Sequence, residues 1–483
     1  MSKPLSAPLW PTLFAACAST NIGIQAQLTQ TLRKALLAGR LPLGSRLPAS
    51  RVLAKDLAIS RSSVEAAYAQ LEAEGYLQRR IGAGSFVAFT PQSLPSKQPS
   101  QRPAQLSRRG QSIVDAGGCQ DSKPTQAFNA GQPDLAAFPH VLWQKLMQQR
   151  WQKSGAALAG YGSAQGLLEL RSAISGYLAQ ARGVDCHPEQ ILILNSSQQA
   201  LQMLAQLLID PQDKVWLEEP AYLGARNAML AAGAEIVPVP VDAEGLNPSA
   251  DLSPPKLIYT TPSHQYPLGV AMSLARRMAL LAQAEQHGAW IIEDDYDSEF
   301  YYDQRPLPAL HGLDKTGRTL YVGTFSKVLF PSLRLAYLVL PSELMPAFIA
   351  ARTAFDGHSP QFMQAVTADF IAQGHFAAHL RQMRTLYRSR RDLLLESLKP
   401  LSDVLSPINT GAGLQFSVCL NAGLEQAWTS AGSAAGLALR PLSAFYLAKP
   451  KIEGWLLGYA ALSNTQIRSA SQTLINSFYT MQR

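Results

Sequence analysis

The sequence predicts an α/β chain in two parts. A small helical N-terminal head precedes a large body, built on a mainly parallel sheet with helices on both faces and a smaller α+β lobe at its C-terminal end. Three observations carry this reading. At 483 residues the chain exceeds one ordinary domain. Its charge is unevenly divided, with 14 Lys/Arg against 4 Asp/Glu in residues 1–110 and 28 against 30 in the remainder. Short β-rich runs alternate with helical stretches through the middle of the chain, the rhythm of strands joined by helical crossovers.

Composition narrows the function classes. With 47% hydrophobic and 16% charged residues the chain reads as globular, and no apolar run is long enough to span a bilayer. Met1 to Thr20 lacks the basic-then-apolar layout of a signal peptide. Cys17, Cys119, Cys186 and Cys419 lie far apart, with no CxxC and no metal-ligand spacing. They read as reduced thiols of a cytoplasmic protein without a metal site. Because the excess positive charge sits in the head, the expected polyanionic partner, nucleic acid or a membrane surface, belongs to the head alone.

In the head, Ile24, Leu28, Leu32 and Leu36 recur every four positions between Gly23 and Gly39, which predicts an amphipathic helix. A turn at Leu41-Pro42-Leu43-Gly44 leads to Ser50, read as the cap of a short helix carrying Val52, Leu53 and Leu57. Ser60 caps a third helix with Val64, Ala67, Tyr68 and Leu71 on one face, closed by Gly75. Tyr76 to Phe89 then reads as two short strands around Gly82-Ala83-Gly84. Three helices and a glycine-tipped hairpin over residues 1–89 make a winged helix-turn-helix. Ser60-Arg61-Ser62-Ser63 places a cation and three hydroxyls at a helix N-terminus, where a recognition helix meets base edges and phosphates. Arg46 and Arg51 flank the second helix, and Arg79-Arg80 stand at the wing. Packing accounts for the leucines and Tyr68, but not for arginines at these termini.

The run Gly44-Ser45-Arg46-Leu47-Pro48-Ala49-Ser50-Arg51, continued by Leu53-Ala54, Leu57, Ser60-Arg61, Val64, Ala67-Tyr68, Leu71, Glu74-Gly75-Tyr76-Leu77 and Gly82-Ala83-Gly84-Ser85-Phe86-Val87, resembles the GntR-type winged helix. The resemblance implies double-stranded DNA as the partner, contacted chiefly by Arg46, Arg51 and Arg61, with Ser60, Ser62 and Ser63 beside them.

Residues 90–126 lose periodicity and fill with Pro, Ser, Gln and Arg, which predicts a flexible, partly extended linker. The body, residues 127–483, carries β-rich runs at Ile191–Asn195, Val215–Glu218, Glu235–Val241, Leu257–Thr260, Ala289–Asp294, Leu320–Thr324 and Leu335–Leu340. Helical patterns such as Gln198–Leu208 and Leu274–His287 lie between them. The large part ends near residue 343, and residues from 344 to 483 form the smaller lobe.

Four motifs in the body converge on one chemistry. Lys327, in Thr324-Phe325-Ser326-Lys327, follows the apolar run Leu320-Tyr321-Val322 and so emerges at a strand's C-terminal end. Thr324 and Ser326 add hydroxyls, and Arg334 adds a fork suited to two phosphate oxygens. Glu293-Asp294-Asp295 ends a buried strand, where three acids are costly unless one meets a cation. Ser196-Ser197-Gln198 opens a helix whose first backbone N–H groups form a natural phosphate site. Tyr222, in Glu219-Pro220-Ala221-Tyr222, offers a ring at the next strand's edge. A lysine nucleophile, an anion for the ring nitrogen, a phosphate cradle and a stacking ring are what pyridoxal 5'-phosphate requires.

The Ser326-Lys327 pair with Arg334 resembles the lysine motif of fold-type-I aminotransferases. That resemblance implies a Schiff-base lysine at Lys327 and Asp294 at the pyridine nitrogen, with Asp295 as the neighbouring alternative. It places Tyr296 at the phenolic oxygen, and Ser197, Gln198, Thr324, Ser326 and Arg334 around the phosphate. Tyr161, in Gly160-Tyr161-Gly162, would reach a neighbouring subunit's phosphate. Joined to the head, the whole chain resembles the MocR/GabR-type regulators. The resemblance implies a head-to-tail, domain-swapped homodimer that senses the cofactor itself or an amine or amino-acid effector. Two departures stand against the alternative, a working aminotransferase that happens to carry a DNA-binding head. Tyr266 replaces the asparagine of the aminotransferase loop, and the strand Trp455 to Ala460 lacks the arginine that clamps a substrate carboxylate. Arg440 is a candidate substitute and His264 a candidate pocket residue for the effector; a surface arginine and a structural histidine are the other readings.

Overall fold

The computed structural model describes residues 22–89, 105–115, 126–249, 251–303 and 307–481, with Trp10 and Phe14. Two compact units meet in the chain at Gln105 and Leu106.

In the head, helices Ile24–Leu37 (α1), Ser50–Asp56 (α2) and Arg61–Ala73 (α3) precede a hairpin of Leu77–Arg80 (β1) and Gly84–Val87 (β2). The four-residue spacing in α1 turns Leu28, Leu32 and Leu36 inward, onto Leu53, Val64, Tyr68, Leu71, Leu77 and Val87 in a single core. Tyr68 can be buried because its hydroxyl donates to the Pro48 carbonyl at 3.0 Å, which ties α3 to the segment before α2. Ser50 is the first helical residue and Ala49 the cap, one position from expectation, since the backbone stays extended through Ala49. The hairpin turns through Gly82 at φ +74°, a conformation that glycine adopts without Cβ cost.

Within the stretch read as linker, Arg108–Asp115 is helical (α4). Residues 90–104 and 116–125 of that stretch, together with Cys17 and Cys119, lie outside the described residues.

The body's main sheet uses Ile191–Leu194 (β3), Lys214–Glu219 (β4), Glu235–Asp242 (β5), Gly245–Leu246 (β6), Leu257–Thr260 (β7), Trp290–Asp295 (β8), Thr319–Thr324 (β9) and Ala336–Val339 (β10). Their spatial order is β3-β10-β9-β8-β7-β4-β5-β6. The neighbours β9, β8, β7, β4 and β5 run parallel, and β10 is antiparallel to both β3 and β9. Strands β3, β7, β9 and β10 are buried along their whole length, as strands covered on both faces must be. Alternate residues feed two cores. Leu192, Leu194, Leu217, Tyr259, Ile292 and Val322 pack on the helix Ser197–Leu208 (α5), while Ile191, Ile193, Tyr321 and Val339 join the aromatic core on the other face.

This topology positions the site. The strands β3, β4, β7, β8 and β9 point the same way, so Asn195, Pro220, Thr261, Tyr296 and Phe325 follow them at one edge of the sheet. Open α/β sheets bind ligands beyond this carboxyl edge. The smaller lobe adds an antiparallel sheet of Leu405–Ile408 (β11), Gln415–Leu420 (β12), Arg440–Pro441 (β13) and Gly454–Gly458 (β14) in the order β11-β12-β14-β13. No described helix is long and apolar enough to cross a membrane.

Candidate functional site

The three acids that end β8 have three different fates. Glu293 accepts from the backbone N–H groups of Leu310 and His311, at 2.8 and 2.7 Å. Asp295 accepts from Arg182 Nε at 2.8 Å and from the Tyr321 hydroxyl at 2.6 Å. Asp294 differs in having no arginine: Oδ2 accepts from the Tyr259 hydroxyl at 2.8 Å, while Oδ1, like Asp295 Oδ1, is buried and, among the described residues, has no partner. A bare buried carboxylate oxygen is expensive, and burial pushes the Asp294 carboxyl up to about 7, against the opposing Tyr259 hydrogen bond. Asp295 already has its cation, so of the two aspartates it is Asp294 that is left for a ring nitrogen.

A pH effect follows. A carboxyl held near 7 in the folded chain and near its ordinary value when unfolded makes folding take up a proton between those values. Stability of the cofactor-free protein is therefore lost as pH rises from about 4 to about 7. Its melting temperature should fall between about pH 5 and about pH 8 by more than that of Asp294→Asn, which keeps the shape without the charge. Equal slopes for the two proteins would remove Asp294 from this account.

Lys327 follows β9 and is half-buried, its Nζ donating to the Gly131 carbonyl at 2.8 Å. Burial lowers its pKa, opposed by the negative charges of Asp297 and Asp294. Gly131 sits at φ +75°, which favours glycine, and a Cβ there would stand 2.8 Å from Lys327 Nζ and displace the amine. Tyr296 lies beside His264, whose Nδ1 is 2.8 Å from Asp297 Oδ1 and 3.2 Å from the Tyr296 hydroxyl. A carboxylate at that distance places the imidazole proton on Nδ1, donated to Asp297. Nδ1 then cannot accept from Tyr296, which leaves the phenol proton free for another acceptor. His264 is almost fully buried, with Tyr296 at its edge.

The phosphate candidates gather at the ends of β3 and β9. Ser196 caps α5 by accepting from Gln199 N at 3.1 Å, and Ser197 and Gln198 open that helix. The Gln198 side chain donates to the Gly224 carbonyl at 2.8 Å. Thr324 Oγ1 accepts from Ser326 N at 3.2 Å and shapes the loop before Lys327. Arg334 is held at φ +53°, costly for a residue with a Cβ, by about 1–3 kcal/mol. Among the described residues its exposed guanidinium has no hydrogen bond or ion pair. Tyr222 meets the Tyr266 ring edge-on at 5.6 Å, and Tyr266 meets Tyr296 at 5.9 Å and Phe445 at 5.4 Å. Tyr161 is fully exposed on this chain, away from these rings and beside His358.

Several participants were not anticipated. Asp297 stands two residues beyond the acidic run and could have been read with it. Tyr259, Gly131 and Glu218 carry no local signal; Glu218 is buried and accepts from Thr260, Thr261 and Gln265, fixing the loop that bears His264 and Tyr266.

On the head, Ser60 caps α3, its Oγ accepting from Ser63 N at 3.1 Å and lying 2.8 Å from both the Ser62 and Ser63 hydroxyls. Arg61 is exposed, with only a 4.0 Å approach to Glu65. Arg46 and Arg51 are exposed as well, and the Arg46 guanidinium lies against Gly84 at the wing. Arg79 departs from expectation. It is tied to Glu65 at 3.1 Å and Glu72 at 3.2 Å, joining wing to helix, while Arg80 stacks on Phe86 at 4.8 Å.

Comparison with known proteins agrees with both halves. Residues 24–87 match the bacterial regulatory proteins of the gntR family, and residues 126–474 match the class I and II aminotransferases. The chain is 39% identical over 472 residues to the probable rhizopine catabolism regulatory protein MocR of Rhizobium meliloti, covering 96% of this chain and 95% of that protein. It is 33% identical over 391 residues to the pyridoxine biosynthesis transcriptional regulator PdxR of Corynebacterium glutamicum, covering 80% and 82%. Among solved structures, LysN, an α-aminoadipate aminotransferase of Thermus thermophilus complexed with N-(5'-phosphopyridoxyl)-L-leucine, matches with a TM-score of 0.69 at 25% identity, over 78% of this chain and 96% of that one. With a gntR-type head and an aminotransferase body in one chain, and likeness to such regulators along nearly its whole length, the protein belongs to the MocR-type branch of the GntR transcriptional regulators.

Proposed function

We propose that the protein regulates transcription from the cytoplasm as a dimer, binding promoter DNA through its head and reading pyridoxal phosphate, or an amine or amino acid that meets it, through its body. The observation that carries this is the unpaired, buried Asp294 Oδ1 at the same sheet edge as Lys327 and Tyr296. That arrangement fits the cofactor: Asp294 for a protonated ring nitrogen, Tyr296 for the phenolic oxygen, Lys327 for the aldehyde carbon and Tyr222 for the ring face. The first-turn amides of α5, Ser326 and Arg334 would hold the phosphate, and an exposed Tyr161 is suited to reach the same group in a second subunit. When bound, pyridoxal phosphate supplies an electron sink conjugated to an amine.

The chain's own residues do the rest. Tyr259 orients Asp294, Asp297 and His264 leave the Tyr296 proton available, and Gly131 holds Lys327 in reach. Tyr266 in place of an asparagine, and β14 without an arginine, set the pocket apart from that of an aminotransferase. Selection from a random duplex library should return one defined operator, with affinity that changes when pyridoxal phosphate or an amine is added. Mixed with amino donors and 2-oxo acids, the protein should convert no more than about one equivalent. Sustained turnover with no effect on DNA binding would replace this reading with that of an enzyme.

A further inference from the structure

We infer that the pocket beside Lys327 carries a hydrogen-bond-accepting subsite made by Gln415 and Asp297, and that the effector is an amine with a second donor, a hydroxyl or another ammonium. This deepens the functional proposal and rests on reading the Lys327 pocket as the cofactor site.

The lobe strand β12 supplies the first observation. Its residues alternate between two faces. Phe416 and Val418 enter the aromatic core, so Gln415 and Ser417 share the opposite face. Ser417 donates to the Pro267 carbonyl at 2.8 Å, which sets that face against the loop bearing His264 and Tyr266. Gln415 pairs across the sheet with Gly458, whose N–H donates to the Phe128 carbonyl at 2.9 Å. A Cβ at Gly458 would collide with the Asn129 carbonyl, so the bare position lets the segment from Phe128 to Gly131 cross close to β14. That crossing brings Gly131 to Gln415. A Cβ at Gly131 would stand 3.7 Å from Gln415 Oε1 and 2.8 Å from Lys327 Nζ, so the lobe amide and the lysine amine flank one residue.

The second observation is what these groups lack. Gln415 is 2% exposed, and its Oε1 is buried with no hydrogen-bond partner among the described residues. Asp297 is 1% exposed; its Oδ1 takes the His264 Nδ1 proton at 2.8 Å, while Oδ2 is likewise buried and unpartnered. A Cβ at Gly413, two residues before Gln415, would stand 2.8 Å from that Oδ2. Asp297 is also the acid whose charge most opposes the lowering of the Lys327 pKa by burial. Two unpaired acceptors thus stand around the lysine, and each costs free energy until a donor arrives.

The cofactor does not supply those donors: its ring N–H is assigned to Asp294, and its phenolic oxygen and phosphate are acceptors. An amine seated at Lys327 can bring a donor two or three bonds from its nitrogen. A hydroxyl satisfies either oxygen, and a second ammonium also meets the charge of Asp297. A methyl group in the same place would seal both acceptors away from water without a partner.

The test uses the full chain loaded with pyridoxal phosphate and ligands that exchange a methyl for a donor. Propylamine is set against ethanolamine and ethylenediamine, and L-2-aminobutyrate against L-serine and L-2,3-diaminopropionate. The second set shares its carboxylate, so any contribution from Arg440, which lies over the Phe445 ring at 4.9 Å, cancels. The readout is the free-base concentration that half-saturates the change in the visible spectrum of the bound cofactor. At least one donor-bearing ligand should half-saturate about tenfold or more below its methyl counterpart, the worth of filling a buried acceptor. Gln415→Met should remove most of that preference and leave the methyl ligands within about threefold. Gln415→Glu, which keeps an acceptor of the same reach, should retain it. Both variants should still show the cofactor band that borohydride fixes. A panel without the preference overturns the inference, as does a preference of full size in Gln415→Met or one lost in Gln415→Glu. Absence of the cofactor band from the unaltered protein is a separate result, and it fails the cofactor reading instead.

Discussion

Lys327→Ala should lack the visible absorption band that borohydride fixes in the unaltered protein, and should lose its cofactor on dialysis. Nothing else at the sheet edge can replace that amine. Among the described residues the nearby cationic side chains are guanidinium groups, which do not serve as amine nucleophiles. The Lys327 ammonium is half-buried, and burial lowers its pKa, so the neutral amine needed for attack on an aldehyde is easier to reach than in water. The substitution also leaves the Gly131 carbonyl without its donor, costing about 1–3 kcal/mol. It further removes the positive charge that faces Asp294 and Asp297. A modest drop in melting temperature is therefore expected together with a complete loss of the band. Asp294→Asn separates the two roles: Lys327 remains, so the band persists, but the cofactor should dissociate more readily. A borohydride-fixed band that survives in Lys327→Ala would place the covalent link elsewhere and dismantle the site as drawn.

The sheet was legible because most of its strands are buried on both faces, which leaves apolar runs in the sequence. Leu257–Thr260 and the helix Leu274–His287 fall where the pattern places them, and other strand ends differ by a residue or so. The helix Arg108–Asp115 was not legible: it is eight residues long, buries no side chain, and stands in a stretch rich in Pro, Ser, Gln and Arg. In the site, Lys327, Asp294, Tyr296 and Tyr222 were readable because each stands at or just beyond a strand's end and the carboxyl edge gathers them. What assigns their roles was not readable. Asp295 is set aside by Arg182, 113 residues earlier, and Lys327 is held by a carbonyl 196 residues away. Long-range pairs of this kind follow from topology and leave no local period. Arg79 shows the same limit within the head. Its neighbours in sequence mark it as a DNA-facing cation, yet Glu65 and Glu72 on α3 already take its charge.

That difference between arginines sets the other large effect. Arg61→Ala should weaken operator binding about tenfold or more at moderate salt, a loss of about 1–3 kcal/mol, with the cofactor spectrum unchanged. Arg61 opens α3, its side chain is 54% exposed, and its one acidic neighbour is at 4.0 Å. The pair therefore costs little to break when DNA arrives. The adjoining first-turn N–H groups add the positive end of the helix, which makes this point the natural meeting place with a phosphate or a base edge. Salt separates those two contacts. If Arg61 meets a phosphate, the variant binds all sequences more weakly, and its salt dependence falls by about one counterion. If it meets a base, the salt dependence holds and specificity relaxes at one position. Arg79→Ala is the contrast, because removing it frees two acidic side chains on the helix and unties the wing. It should lower the head's melting temperature and carry a smaller direct loss of DNA contact. An Arg61→Ala protein that also lost its cofactor band would show that the two units are not energetically separate, since no residue of the proposed cofactor pocket belongs to the head.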